Sequence, residues 1–245
     1  MPQTRKRRFT EDYRETTTLR DGRPITLRLL RPSDKEALLY GMHRMSPESR
    51  FRRFFAPRDS LSPSELAYLT EIDHERHFAI AAGRADGEGD ERNIGLGVGR
   101  FICDPAAPER AEAAVAVVDE VQGQGLGKIL FERLMLAARE RGVKEFYLDI
   151  LPENAAMLGL LRNIFPETHT YPDSDVVYVT CPLPPEPPAE RGPEFPFFRV
   201  LAYAASGALR VMRAARSWPV PDDLAEAVVL KDKPRSGRGA EGERS

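Results

Sequence analysis

The chain has 245 residues, 30% of them charged and 41% hydrophobic, the balance of a globular protein with one domain of ordinary size plus extensions. Its 36 Lys and Arg against 38 Asp and Glu leave a net charge of −2, which argues against a dedicated nucleic-acid binder. No run approaches the ~20 apolar residues of a membrane helix, and two cysteines, Cys103 and Cys181, without an export signal fit a cytoplasmic protein with no disulfide framework.

In chain order, residues 1–13 are basic at Arg5, Lys6, Arg7 and Arg8 and are expected to form a flexible N-terminus. Thr16–Leu19 and Ile25–Leu30 flank Asp21-Gly22, a hairpin signal. Three helix starts follow. Ser33-Asp34-Lys35-Glu36 reads as a capping box, Ser46-Pro47-Glu48 puts proline at the first helical position, and Ser62-Pro63-Ser64-Glu65 combines both devices. Between the last two, Arg50-Phe51-Arg52-Arg53-Phe54-Phe55 reads either as a patch for a phosphorylated ribose or as a half-buried helix face with snorkelling arginine heads, the second being commoner. Phe78–Ala82 reads as a strand, Gly83–Asp90 as a polar hairpin loop, and Ile94–Ile102 as a second strand. Gly95, Gly97 and Gly99 are expected on one face of it, against a close neighbour such as a helix.

After a loop at Asp104–Arg110, Glu112 opens a strand whose apolar run, Val115 to Val118, leads into Gln122-Gly123-Gln124-Gly125-Leu126-Gly127-Lys128. A helix pattern starts at once, with Leu126, Ile129, Leu130, Leu134, Ala137 and Ala138 on one face. A strand entering a helix through alternating glycines leaves backbone N–H groups bare at the positive end of the helix dipole, a site for an anion. The glycines remove the Cβ atoms that would hold a phosphate away. The stretch reads as a diphosphate cradle, with an ordinary glycine-rich turn as the alternative. It is not a P-loop, since Ile129 stands where a hydroxyl should follow Lys128. Nor is it a dinucleotide fingerprint, since it reads Gly-x-Gly-x-Gly, with Asp119 before the loop rather than an acid on the next strand.

Phe146–Ile150 is a further strand, and Pro152-Glu153-Asn154 begins a helix carrying Met157, Leu158, Leu160 and Leu161. Thr168–Tyr171 and Val176–Cys181 read as a closing antiparallel pair. The predicted class is α+β: a mixed, mostly antiparallel sheet flanked by helices, with one parallel crossover around the glycine-loop helix. The domain is expected over residues 14–182, followed by a proline-rich linker at 183–196, a helix at 197–217 and a disordered tail at 218–245. Arg199, Arg210, Arg213 and Arg216 make that last helix basic. It would suit an anionic membrane or a partner, and packing against its own domain or a second subunit is the preferred reading. His43, His74, His77 and His169 show no metal-ligand spacing, so no metal is expected.

Gln122, Gly125 and Gly127 fill the three places of the Gln/Arg-x-x-Gly-x-Gly/Ala signature of the GNAT superfamily of acetyl-CoA-dependent N-acetyltransferases, which this stretch resembles. Arg31-Pro32-Ser33-Asp34, Ser46-Pro47-Glu48-Ser49-Arg50-Phe51, Arg53-Phe54-Phe55, Glu65-Leu66, Ala111-Glu112, Leu151, Asn154 and Met157 extend the resemblance to Pat-type bacterial protein lysine acetyltransferases, over roughly residues 14 to 182. The resemblance implies acetyl-CoA between the strand ending at Val118 and the strand Phe146–Ile150. Its diphosphate would lie on the N–H groups of Gln122, Gly123, Gln124, Gly125, Leu126, Gly127 and Lys128, with Val117, Val118 and Asn154 also at the site. Glu112 matches the family's glutamate base, which would take a proton from the attacking amine, by kinship a protein lysine, in a partly desolvated cleft. A small-molecule amine acceptor and a CoA-sensing or scaffold protein without turnover stay open as alternatives. Leu161 stands where many relatives carry a tyrosine acid, and Asn163-Ile164-Phe165-Pro166 replaces their closing Gly-Phe.

Overall fold

The computed structural model describes residues 7–85 and 95–184, so the linker from residue 185, the basic helix at 197–217 and the tail at 218–245 lie outside the described residues. Eight strands form one sheet: β1 (Arg14–Thr18), β2 (Pro24–Leu29), β3 (His77–Arg84), β4 (Gly95–Cys103), β5 (Arg110–Val117), β6 (Glu145–Ile150), β7 (His169–Asp173) and β8 (Val176–Pro182). Their order is β1-β2-β3-β4-β5-β6-β8-β7. Every neighbouring pair is antiparallel except β5–β6, which α4 (Leu126–Glu140) connects as the expected parallel crossover. The other helices are α1 (Lys35–His43), α2 (Pro47–Phe54), α3 (Pro63–Thr70) and α5 (Ala155–Ile164). None of the described helices is long and apolar enough to cross a membrane.

The caps follow the sequence in two cases of three. Ser46 Oγ accepts from Ser49 N at 3.2 Å, and Ser62 and Glu65 close a reciprocal box, with Glu65 N donating to Ser62 Oγ at 3.2 Å and Ser62 N to Glu65 Oε2 at 2.7 Å. Ser33 does not cap α1. Pro32–Asp34 is instead a 3-10 turn, in which Asp34 accepts from Arg31 N at 2.7 Å and holds Arg28 of β2 with both oxygens at 2.7 Å. A charge-assisted bidentate pair with a distant strand outcompetes a local hydroxyl.

Alternation decides what each face of the sheet meets. Gly97 and Gly99 turn toward α4, where added Cβ atoms would lie 3.1 Å from Leu126 and 3.0 Å from Leu134. Arg100, on the opposite face, reaches the Leu69 carbonyl of α3. Gly95 does not share the face of Gly97. The β3–β4 register shifts at Ala82/Gly83, and Gly95 instead faces the Ala37 carbonyl of α1. The core beneath α4 carries a run of rings, Phe78–Phe101 at 5.2 Å, Phe101–Phe146 at 5.8 Å and Phe146–Phe165 at 6.1 Å. Structure begins before the expected residue 14. Phe9 is buried edge-on against Phe78, and Glu140 accepts the N–H groups of Arg8 and Phe9 at 3.0 and 3.2 Å.

Candidate active site

The β5–β6 ladder is short: it pairs Arg110, Ala111 and Glu112 with Glu145, Phe146 and Tyr147 and then stops. Beyond it β5 stays on β4 as far as Val117, while β6 stays on β8 as far as Ile150. The two strands diverge, and a large open cleft lies between them, lined by Glu112–Val117, Leu148–Ile150, Gln122–Ile129 and Asn154.

At the wide end of the gap the chain turns into α4. Val118 leads to a 3-10 turn (Asp119–Val121), and the side chain of Gln122 then fixes the loop by donating to Ser49 Oγ, Val117 O and Asp119 Oδ1 at 3.2, 3.2 and 3.0 Å. Gly123 and Gly125 adopt φ of 74° and 90°, where an L side chain would be strained, and Gly125 is the N-cap of α4. Gln122 N and Gln124 N are used by the turn, on Asp119 O and Val121 O, so they are not among the donors the loop offers. The N–H groups of Gly123, Gly125, Leu126 and Gly127 have no acceptor among the described residues. Four donors at the start of a 15-residue helix fit a diphosphate, with no Cβ in the way: nothing lies within 4 Å of a Cβ built on Gly123, and one on Gly127 would reach only Leu160 at 3.4 Å. Lys128 lines the same cleft.

Sequence reasoning missed Arg20. The β1–β2 hairpin brings it onto the loop, where its N–H donates to Gln124 O at 3.1 Å and its Nη1 to Gly123 O at 3.4 Å. The Asp21-Gly22 turn was readable, but no local pattern says what a hairpin tip touches. Of the other predicted residues, Val117 lines the cleft, whereas the Val118 N–H is spent on Leu96 O at 3.0 Å. Asn154 lines the cleft and caps α5, its Oδ1 accepting from Met157 N at 3.2 Å. Leu161 is fully buried, and Phe165 closes α5 by packing at right angles to Phe131 and Phe146.

Glu112 stands at the vertex, opposite Ile102 of β4 and Tyr147 of β6, the last residue pair of the parallel ladder. Its side chain is exposed at the cleft rather than partly desolvated as expected. Its charge is felt by two neighbours. Burial and then Glu112 raise the Tyr147 hydroxyl, and burial lowers the half-buried Arg53 guanidinium while Glu112 opposes that shift. On α2, Arg50 tucks its head onto Met45 O at 2.8 Å and Arg52 pairs with Glu48 at 2.6 Å, the half-buried reading of the Arg-Phe run.

A model of the acetyltransferase (GNAT) family matches residues 43–164. Acetyltransferase PA5475 of Pseudomonas aeruginosa is 32% identical over 143 residues, 58% of this chain and 75% of that protein. Acetyltransferase Pat of Mycolicibacterium smegmatis is 30% identical over 148 residues, 60% of this chain but 42% of the relative, so the chain spans less than half of that longer protein. The GNAT domain of S. lividans PAT gives a TM-score of 0.62 at 26% identity, covering 69% of this chain and 97% of that domain. The fold is shared more widely. The Salmonella typhimurium acetyltransferase yncA, solved with its cofactor acetyl-CoA, gives 0.51 at 18% identity, covering 65% of this chain and 94% of its own.

Proposed function

Because this chain belongs to the acetyltransferase (GNAT) family, we propose that it carries acetyl from acetyl-CoA to the side-chain amine of a protein lysine, with Glu112 as general base. It is an acetyltransferase, with acetyl-CoA as donor. The observation that carries the finer reading is the gap between β5 and β6, with a carboxylate at its vertex and, where it opens, four N–H groups without an acceptor among the described residues.

Acetyl-CoA supplies the activated acyl carbon. The residues of this chain do the rest. Gly123, Gly125, Leu126 and Gly127 hold the diphosphate on backbone donors, and the unpaired edges of β5 and β6 offer hydrogen bonds along the gap. An alkylammonium with pKa ~10.4 has no lone pair to attack with, so its proton must leave first, to a carboxylate in direct reach or through one water. Glu112 is the carboxylate at the vertex, exposed and able to meet an amine carried on a large acceptor. Leu161 is buried and apolar, so it has no proton to offer a departing thiolate.

The test is thiol release with a panel of proteins and small amines. Glu112→Gln should retain CoA binding while the rate falls about 10²-fold or more, the scale of a lost general base. An unchanged rate at neutral pH removes Glu112 from the mechanism. Turnover confined to small amines removes the protein acceptor, and CoA binding without turnover leaves a sensor.

A further inference from the structure

We propose that a second cavity, between α1–α3 and the sheet, binds a small oxyanion, a carboxylate or phosphate borne by a metabolite-sized molecule, through Arg100 and Arg53. The cavity has a volume of about 410 Å³, within the range of small-molecule sites. Among the described residues, Arg14, Arg28, Arg53, Arg84 and Arg100 stand on its wall with one carboxylate, Asp34. Both oxygens of Asp34 are taken by Arg28.

Arg100 is 4% exposed, in the middle of β4. It donates to Leu69 O at 3.3 Å and to His77 Nε2 at 3.0 Å. Neither partner carries negative charge. Burial, and then the charge of Arg100 itself, push His77 down to about 3, so the ring is neutral and accepts through Nε2. No carboxylate pairs with Arg100 among the described residues. Burial, and then the charge of Arg53, push it down to about 9 against an opposing influence of Tyr68, so at neutral pH it is still a cation. A buried guanidinium that shares a cavity wall with a second guanidinium lacks the compensation that buried charges require. An oxyanion supplies it, since each guanidinium presents a planar fork of donors matched to carboxylate or phosphate.

The site is separate from the glycine loop, on the opposite face of β4 and β5, and meets the large cleft at Met45, Arg53 and Ala116, which line both. The experiment uses the full chain saturated with CoA, so that the loop donors are occupied, and titrates inorganic phosphate and succinate by calorimetry alongside a thermal-shift measurement. At least one probe should bind at one per chain. Arg53→Gln should weaken it more than about 10-fold, the scale of one lost charge-assisted hydrogen bond. Ala81→Leu, which fills the cavity from β3 without touching charge, should abolish it, and Arg100→Met should too if it folds. No binding of either probe to the wild-type chain at millimolar concentrations overturns the proposal. So does binding that survives unchanged in Arg53→Gln or in Ala81→Leu.

Discussion

The seat of α4 on β4 can be tested with one methyl group. A Cβ on Gly97 would stand 2.9 Å from Ala116 O, 3.1 Å from Leu126 Cδ2 and 3.3 Å from Leu130 Cδ1. The closest atom is a backbone carbonyl of the neighbouring strand, which cannot rotate away, so the helix or the strand must move. On Gly99 the nearest atom is Leu134 Cδ1 at 3.0 Å, the end of a side chain, with the Leu130 Cβ stem at 3.3 Å. Overpacking of this kind costs about 1–3 kcal/mol, and replacing glycine by alanine in a strand returns roughly 0.5–1 kcal/mol of chain entropy. The net is about 1–2 kcal/mol for Gly97→Ala and less for Gly99→Ala. At roughly 2–4 °C per kcal/mol for a domain of this size, Gly97→Ala should melt about 2–8 °C lower. The functional consequence separates the two. The methyl at position 97 presses on Leu126, the first residue of α4 and itself a loop donor, while the one at 99 presses on Leu134, eight residues and about 12 Å further along the helix. CoA affinity measured by calorimetry should therefore fall more in Gly97→Ala than in Gly99→Ala. Equal losses, or a Gly97→Ala protein with wild-type melting temperature and affinity, would refute the claim that this glycine sets the position of the donors.

Four further outcomes follow from the same geometry. Gly125→Trp places a bulky side chain at φ 90° in the donor cluster and should abolish CoA binding by calorimetry, whereas Arg20→Ala should weaken it without abolishing it, by loosening the loop. Glu112→Gln should lower turnover about 10²-fold with CoA affinity kept. Asp34→Ala strands the half-buried Arg28 and should cost about 3 kcal/mol in chemical denaturation, while Ser33→Ala, which removes no cap, should be near neutral. His77 has its folded pKa pushed down to about 3 from 6.5, so between those values the unfolded chain holds a proton that the folded one does not. Stability should then fall as pH drops through this window, by up to about 1.4 kcal/mol per pH unit, and His77→Gln should flatten that limb.

What was legible in the sequence was local or periodic. The Ser46 and Ser62 caps are settled within four residues, the α4 face by its spacing, and the turn into α4 by glycines whose backbone angles the structure then shows. Most of the misses are effects of partners outside the local pattern. Ser33 lost its cap because Asp34 is drawn to Arg28 on a strand, and Gly95 changed face because of a register shift opposite Ala82 and Gly83. The Gln122 N–H, expected as a donor to the ligand, is spent on Asp119 O inside its own turn. Arg100 gave no signal, because an arginine in an apolar strand says nothing of which helix closes over it.

The single parallel pair explains why these parts meet. A chain that leaves the end of β5, runs back through α4 and re-enters the sheet beside β5 must do so in the same direction, and no tight turn then clamps the two strands. Each is held more firmly on its other side, β5 by β4 as far as Val117 and β6 by β8 as far as Ile150. With strand twist acting on two half-sheets joined over so short a ladder, the pair splays beyond Glu112 and Tyr147. The gap therefore widens toward the end of β5, the same end at which the crossover must begin its helix and leave its first N–H groups without partners. The bare helix start and the slot are consequences of one connection. The position of the carboxylate follows as well. Before residue 112 a side chain would stand outside the gap; after it, the backbone would have only β4 for support. Glu112 is the last residue of β5 registered with both neighbours, so its backbone is fixed while its side chain stays exposed at the cleft.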